Sequence, residues 1–169
     1  MNPRLAAHFA VTAGLLACGC ASTAPAAATA ATVERAQCAS SLAEQGDLRS
    51  LAAIELLRVE PLYAHVMTGN NNSEERVSGA KLIVRLPDTL SPQRLTRVLQ
   101  CHSAQSLLGR LDSSPAVPDP FWLPGSWLDI DVKPDGGDFA ILVEADTLSK
   151  NLALLARANA FAGSNAYPF

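Results

Sequence analysis

The stretch WLDIDVKPDGGDFAILVEA, residues 127–145, decides the fold. Its first half alternates strictly. Leu128, Ile130 and Val132 fall on one side and Asp129, Asp131 and Lys133 on the other, the period-two pattern of a strand with one face in a core and one in water. Asp135-Gly136-Gly137 then supplies residues that tolerate the backbone conformations of a tight hairpin turn. An apolar run, FAILV, returns on the far side. The pair is therefore an antiparallel hairpin whose apolar side needs a layer of helices to cover it.

Suitable helices flank it. Downstream, Thr147 caps LSKNLALLARANAFAG, where Leu148, Leu152 and Leu155 are expected to face the sheet and Gly163 to end the helix. Upstream, Ser91-Pro92 opens SPQRLTRVLQCHSAQSLL with a capping hydroxyl and a proline in the first turn, where a missing N–H costs nothing. That helix carries Leu95, Val98, Leu99 and His102 along one stripe, with Cys101 beside it and Gly109 as the stop. Between this helix and the hairpin lies RLDSSPAVPDPFWLPGS, residues 110–126, a proline-punctuated connection long enough to suggest a role of its own.

Further upstream, VSGAKLIVRL places Ala80, Leu82, Val84 and Leu86 on one face with Lys81 and Arg85 facing out, so it reads as a strand. LYAHVMT, residues 62–68, reads as its partner across the polar loop GNNNSEE. From Thr32 to about Val59 the composition favours helix, broken at Gly46-Asp47. Leu48, Leu51, Ala52 and Leu56 form the expected buried side of its second part, and Pro61 its end. The expected fold class is α+β: N-terminal helices, then a single antiparallel sheet in strand-strand-helix-strand-strand-helix order with helices on one face. A ferredoxin-like arrangement is the nearest analogy, and it carries no function.

The first 17 residues, MNPRLAAHFAVTAGLLA, combine Arg4, an apolar stretch too short to span a bilayer and a small-residue end, the layout of a secretory leader. A cysteine follows directly. Leu15-Leu16-Ala17-Cys18 resembles the lipobox of bacterial lipoproteins, a resemblance limited to the first twenty or so residues. It implies a cut before Cys18 and lipidation of that cysteine, and Gly19 in place of aspartate implies passage to the outer membrane of a Gram-negative cell. Cys20 is the alternative anchor: a cut there would discard Cys18 and leave an even number of thiols. Residues 1–17 thus read as signal peptide, 18–32 as a lipidated Ala/Thr/Pro-rich tether, and 33–169 as one domain.

The chain holds 13 Lys and Arg against 16 Asp and Glu, and loss of Arg4 with the leader makes the balance more acidic. No basic patch stands out, so nucleic-acid binding is not expected. Of 4 cysteines, Cys38 and Cys101 lie beyond the leader and the lipobox-like stretch that ends it. Export permits a disulfide between them, with buried free thiols as the alternative reading.

No chemistry-bearing motif is complete. His102 could serve as a metal or haem ligand or a general base, or sit as a core histidine bonded to a neighbouring carbonyl. His65 is the other histidine of the mature chain, and the two share no ligand spacing. A calcium loop started at Asp131 would put Lys133 and Leu142 where oxygen ligands are needed. Asp129 and Asp131 share a strand face without a positioned partner, and no serine-hydrolase or phosphate-loop motif occurs. The aromatic group Phe121, Trp122 and Trp127, with Tyr167 and Phe169, is the best candidate binding surface. The expected function is a non-catalytic, lipid-anchored envelope module without a cofactor. Its partners would be the membrane, through the lipid, and an envelope protein or small periplasmic ligand. The alternatives are a periplasmic metal- or haem-binding module using His102 and His65, and an envelope hydrolase.

Overall fold

A computed structural model describes residues 24–38, 54–68, 72–88, 90–109 and 118–164. The elements run α1 (Ala24–Cys38), β1 (Glu55–Thr68), β2 (Asn72–Arg85), α2 (Pro92–Leu107), β3 (Asp129–Asp135), β4 (Asp138–Glu144) and α3 (Leu148–Ser164). The strands form one antiparallel sheet in spatial order β1-β2-β4-β3. The class is α+β. The ferredoxin-like analogy does not hold, because that arrangement interleaves its helices between single strands, whereas here each helix follows a complete hairpin.

Two hairpin-helix units lie side by side, with β2 and β4 in the middle and β1 and β3 outside. Each helix crosses to the other unit: α2 packs on β3, and α3 packs mainly on β2 and β1. A hairpin's apolar face is thus covered by its neighbour's helix. The shared core comprises Leu82 and Val84 of β2, Ile130 of β3, Ile141 and Val143 of β4, Leu95 and Leu99 of α2, and Leu154 and Ala158 of α3. The stretch from Trp127 to Ala145 behaves as its alternation requires, with Leu128, Ile130 and Val132 buried and Asp129, Asp131 and Lys133 exposed.

Four expectations need correction. Residues 55–59, read as the end of a helix, are strand: β1 starts at Glu55 and runs through Pro61. Proline ends helices, but on an edge strand its missing N–H can point outward, and β1 is an edge. Leu56 packs against the core from this strand, while Leu48, Leu51 and Ala52 lie outside the described residues. Second, part of the expected tether is helical, since α1 begins at Ala24. Alanine has the highest helix propensity, and its small side chain lets helices approach closely. Ala27 and Ala31 are buried accordingly, and α1 packs on α2.

Third, α3 presents a different face. Asn151, Leu154, Ala158 and Phe161 are its buried residues, whereas Leu148 and Leu152 are exposed and Leu155 only partly buried. Asn151 can be buried because its amide imitates a strand: Oδ1 accepts from the Ala145 N–H at 2.7 Å and Nδ2 donates to the Ala145 carbonyl at 3.2 Å. Both polar ends are satisfied. The fourth correction is the ferredoxin-like analogy, given above.

Away from the helices the sheet is covered by charge. Alternation puts Ile83 on that side, yet it is only 1% exposed. Lys81 lies 2.8 Å from Asp135 and 3.6 Å from Glu60, Arg58 donates to Glu60 at 2.6 Å, and Arg85 meets Glu55 at 3.0 Å and Asp138 at 3.3 Å. Their long alkyl stems are suited to shielding an isoleucine while the heads stay in water. The hydrogen bond from Arg58 holds the Glu60 carboxyl below the ordinary range, and that from Lys81 does the same for Asp135.

Gly79 marks the closest approach in the sheet. It pairs with Glu144, and a Cβ placed on it would overlap the Val143 carbonyl oxygen. Backbone, not a flexible side chain, blocks it. Gly79→Ala is therefore expected to destabilise the domain by about 1–3 kcal/mol by forcing β2 and β4 apart. A urea midpoint equal to that of the unsubstituted protein would contradict this close contact.

Candidate functional site

The sequence puts His102 one residue beyond Cys101 on α2, and the helix turns it toward the segment entering β3. There Asp119 receives it: His102 Nε2 and Asp119 Oδ2 are 2.7 Å apart, with side-chain exposures of 14% and 11%. The other carboxylate oxygen, Oδ1, accepts from the Phe121 N–H at 2.8 Å. The Asp119 carbonyl accepts from Arg157 Nε at 3.0 Å, which brings in α3. Arg157 in turn lies over the Trp122 ring, 5.1 Å from its centre, within cation-π range.

One short segment is thereby fastened to two helices. Its own folding is local: Ser126 N–H donates to the Leu123 carbonyl at 3.1 Å across Pro124-Gly125, and Gly125 has φ 65°. Proline at the second turn position and a positive-φ glycine at the third suit such a turn. Phe121, Leu123 and Leu128 enter the core from this segment. Among the aromatic candidates, Phe121 is thus core, at 3% exposure, while Trp122 and Trp127 are half-buried. Tyr167 and Phe169 lie outside the described residues, as do Cys18 and Cys20.

His65 is elsewhere. It sits on the exposed end of the β1–β2 hairpin, with Nδ1 3.5 Å from Ser73 Oγ and Nε2 3.7 Å from Glu75. His102 and His65 are therefore not brought together. The one group of three potential metal ligands among the described residues is Glu34, Cys38 and Cys101. There the two sulfurs are bonded to each other, as the sequence led us to expect, and Arg97 donates to Glu34 at 2.6 Å. A thiolate is what would ligate a metal, and a disulfide withholds it. Asp129 and Asp131 stay on the exposed sheet face, Asp131 paired to Lys133 at 3.0 Å.

Two features escaped sequence reasoning. Asp119 and Arg157 carry no local signal: one is an aspartate between prolines, the other an arginine on a helix. The second feature is surface. Among the described residues the exposed large hydrophobic side chains are Val33, Tyr63, Val66, Met67, Leu148 and Leu152, so half of these fall within the seven residues 62–68. Tyr63 is 54% and Met67 69% exposed. Beyond Gly79 the hairpin leaves β4 behind, since β4 pairing ends at Gly79, and it projects as a two-stranded arm. Among the described residues no third strand pairs with it there.

Among the described residues no helix is long and apolar enough to cross a membrane. No family model matches the chain, and no curated protein and no solved structure matches it either.

Proposed function

We propose that the protein is a lipid-anchored component of the cell envelope, held on the periplasmic face of the outer membrane through Cys18, with Cys20 as the alternative anchor. Its domain works by binding a partner rather than by catalysis. The arm carries this reading. Exposed tyrosine, valine and methionine are clustered on the β1 strand of a projecting hairpin, with Glu74, Glu75 and Arg76 of β2 beside them, which is the make-up of a contact surface with aromatic residues and methionine at its centre and charge at its rim. The leader carries the address.

The helical start at Ala24 sharpens the anchoring. From Cys18 to Ala24 the chain can reach at most about 22 Å when fully extended, so the anchor keeps the domain close to the bilayer surface. Cys18→Ser is expected to abolish incorporation of a labelled fatty acid and to move the protein from the membrane to the soluble fraction. Retention of label in Cys18→Ser and its loss in Cys20→Ser would transfer the anchor. Retention in the double variant would reject both cysteines as the anchor, and an unlabelled unsubstituted protein would reject lipidation.

A second reading, an envelope hydrolase, rests on His102 and Asp119, since a carboxylate orienting an imidazole is two-thirds of a hydrolytic triad. It requires a nucleophile that reacts with a fluorophosphonate or iodoacetamide probe and loses that reactivity in His102→Ala. An unlabelled protein would dismiss it.

A further inference from the structure

The two outer edges of the sheet are unlike. On β3 the edge carries Asp129, Asp131, Lys133, Pro134 and Asp135, and the first half of β1 carries Arg58, Glu60 and Pro61. Charges and prolines of this kind keep edges from pairing with other strands. From Leu62 to Thr68 such residues stop: the sequence LYAHVMT holds no Lys, Arg, Asp, Glu or Pro, and the register shift between Leu62 and Tyr63 lies at its start. Among the described residues no strand pairs with this side of β1.

We infer that the distal half of β1 pairs with the same segment of a second copy, antiparallel, about a twofold axis through Ala64. This rests on the reading of the arm as a binding surface and names its partner. The register is self-complementary. Leu62 then faces Val66 of the other copy and Tyr63 faces His65, and the ladder stops short of Pro61, which meets Met67 only as an apolar contact at its end. Like charges do not meet, and each exposed apolar residue of the arm gains an apolar or aromatic neighbour. Cross-strand pairs of that type are what stabilise antiparallel sheets. Alanine on the axis lets the two strands close without a clash. Anchoring both copies in one membrane raises their effective concentration, so a modest interface suffices.

The test uses the full-length protein in its own membranes. On the axis, antiparallel partners have Cα atoms about 4.5–5.5 Å apart, inside the range a disulfide spans. Ala64→Cys is expected to yield a species of twice the monomer mass on a non-reducing gel, lost on reduction. Arg58→Cys, whose counterpart would lie about 40 Å away, is expected to stay at the unsubstituted baseline, which also accounts for any thiol at Cys20. A photo-crosslinking residue at the exposed Tyr63 position serves if Ala64→Cys lowers the protein level. An adduct of two copies there supports the pairing. An adduct with a different protein, together with no Ala64→Cys dimer, overturns the pairing and leaves the arm as a binding surface. No adduct of either kind overturns both.

Discussion

Replacing Cys38 and Cys101 together by serine is expected to lower the free energy of unfolding by about 4 kcal/mol, the loop-closure value for a bridge between residues 63 positions apart. The effect should be larger on α1 than elsewhere. That helix packs on α2, and the residues it buries are Ala27, Ala31 and Cys38, so it removes little apolar surface from water. Its polar contacts centre on Arg97, which donates to Glu34 at 2.6 Å and to Gln37 at 3.1 Å. A 15-residue helix with so little burial is marginal alone, even when rich in alanine. The bridge, with Cα atoms 5.8 Å apart, holds its C-terminal end against α2. Urea unfolding should show the lower midpoint. Hydrogen exchange should show α1 amides losing protection before those of β2 and β4 do. Protected α1 amides in the double variant would mean that packing alone docks the helix. Since α1 begins six positions after Cys18, its release would also lengthen the span between the proposed anchor and the domain.

How much of this was legible from sequence depends on where the decisive force acts. The β3–β4 hairpin is legible because alternation and turn chemistry agree locally. So is α2, whose cap forms as read: Arg94 N–H donates to Ser91 Oγ at 3.3 Å, and Gly109 follows with φ 65°. The Cys38–Cys101 pair was expected because an exported chain is permitted a bridge, and the bridge is present. By contrast, Glu55 to Val59 have ordinary helix propensity, and only pairing with Val84, Ile83 and Leu82 makes them strand. On α3, three leucines suggested a buried stripe, but the stripe is set by Asn151, whose burial depends on a strand end it cannot see in sequence. The arm was hidden for the same reason: Tyr63 and Met67 look like core residues until β4 is found to stop at Gly79.

The candidate site divides in the same way. His102 could be singled out as a polar residue in an apolar stripe, yet its partner lies 17 positions away, in a segment whose path depends on Phe121 and Leu123 entering the core. Arg157 is 38 positions from Asp119. What joins them is tertiary, so pattern reading finds one member of the cluster and misses its purpose.

That purpose can be measured on Asp119. Asp119→Ala is expected to cost about 3 kcal/mol, because it removes at once the carboxylate that meets the nearly buried His102 imidazole and the acceptor of the Phe121 N–H, and hydrogen bonds lost in a low-dielectric site are costly. Asp119→Asn tests the parts separately. Its amide oxygen can still accept from Phe121 N–H, so the segment stays seated, while the charge facing His102 is lost. If the pair is a latch joining α2 to this segment, Asn should recover more than half of the stability that Ala loses, and Trp122 fluorescence should stay native in Asn and shift toward that of an exposed indole in Ala. If the carboxylate instead serves to orient a catalytic imidazole, Asn should be as damaging as Ala to probe labelling while leaving the fold intact, since an amide presents the imidazole with the wrong partner. Equal stability of all three proteins would exclude the latch, because a buried carboxylate that accepts from the Phe121 N–H and meets the His102 imidazole cannot be removed without cost unless those groups find water or other partners.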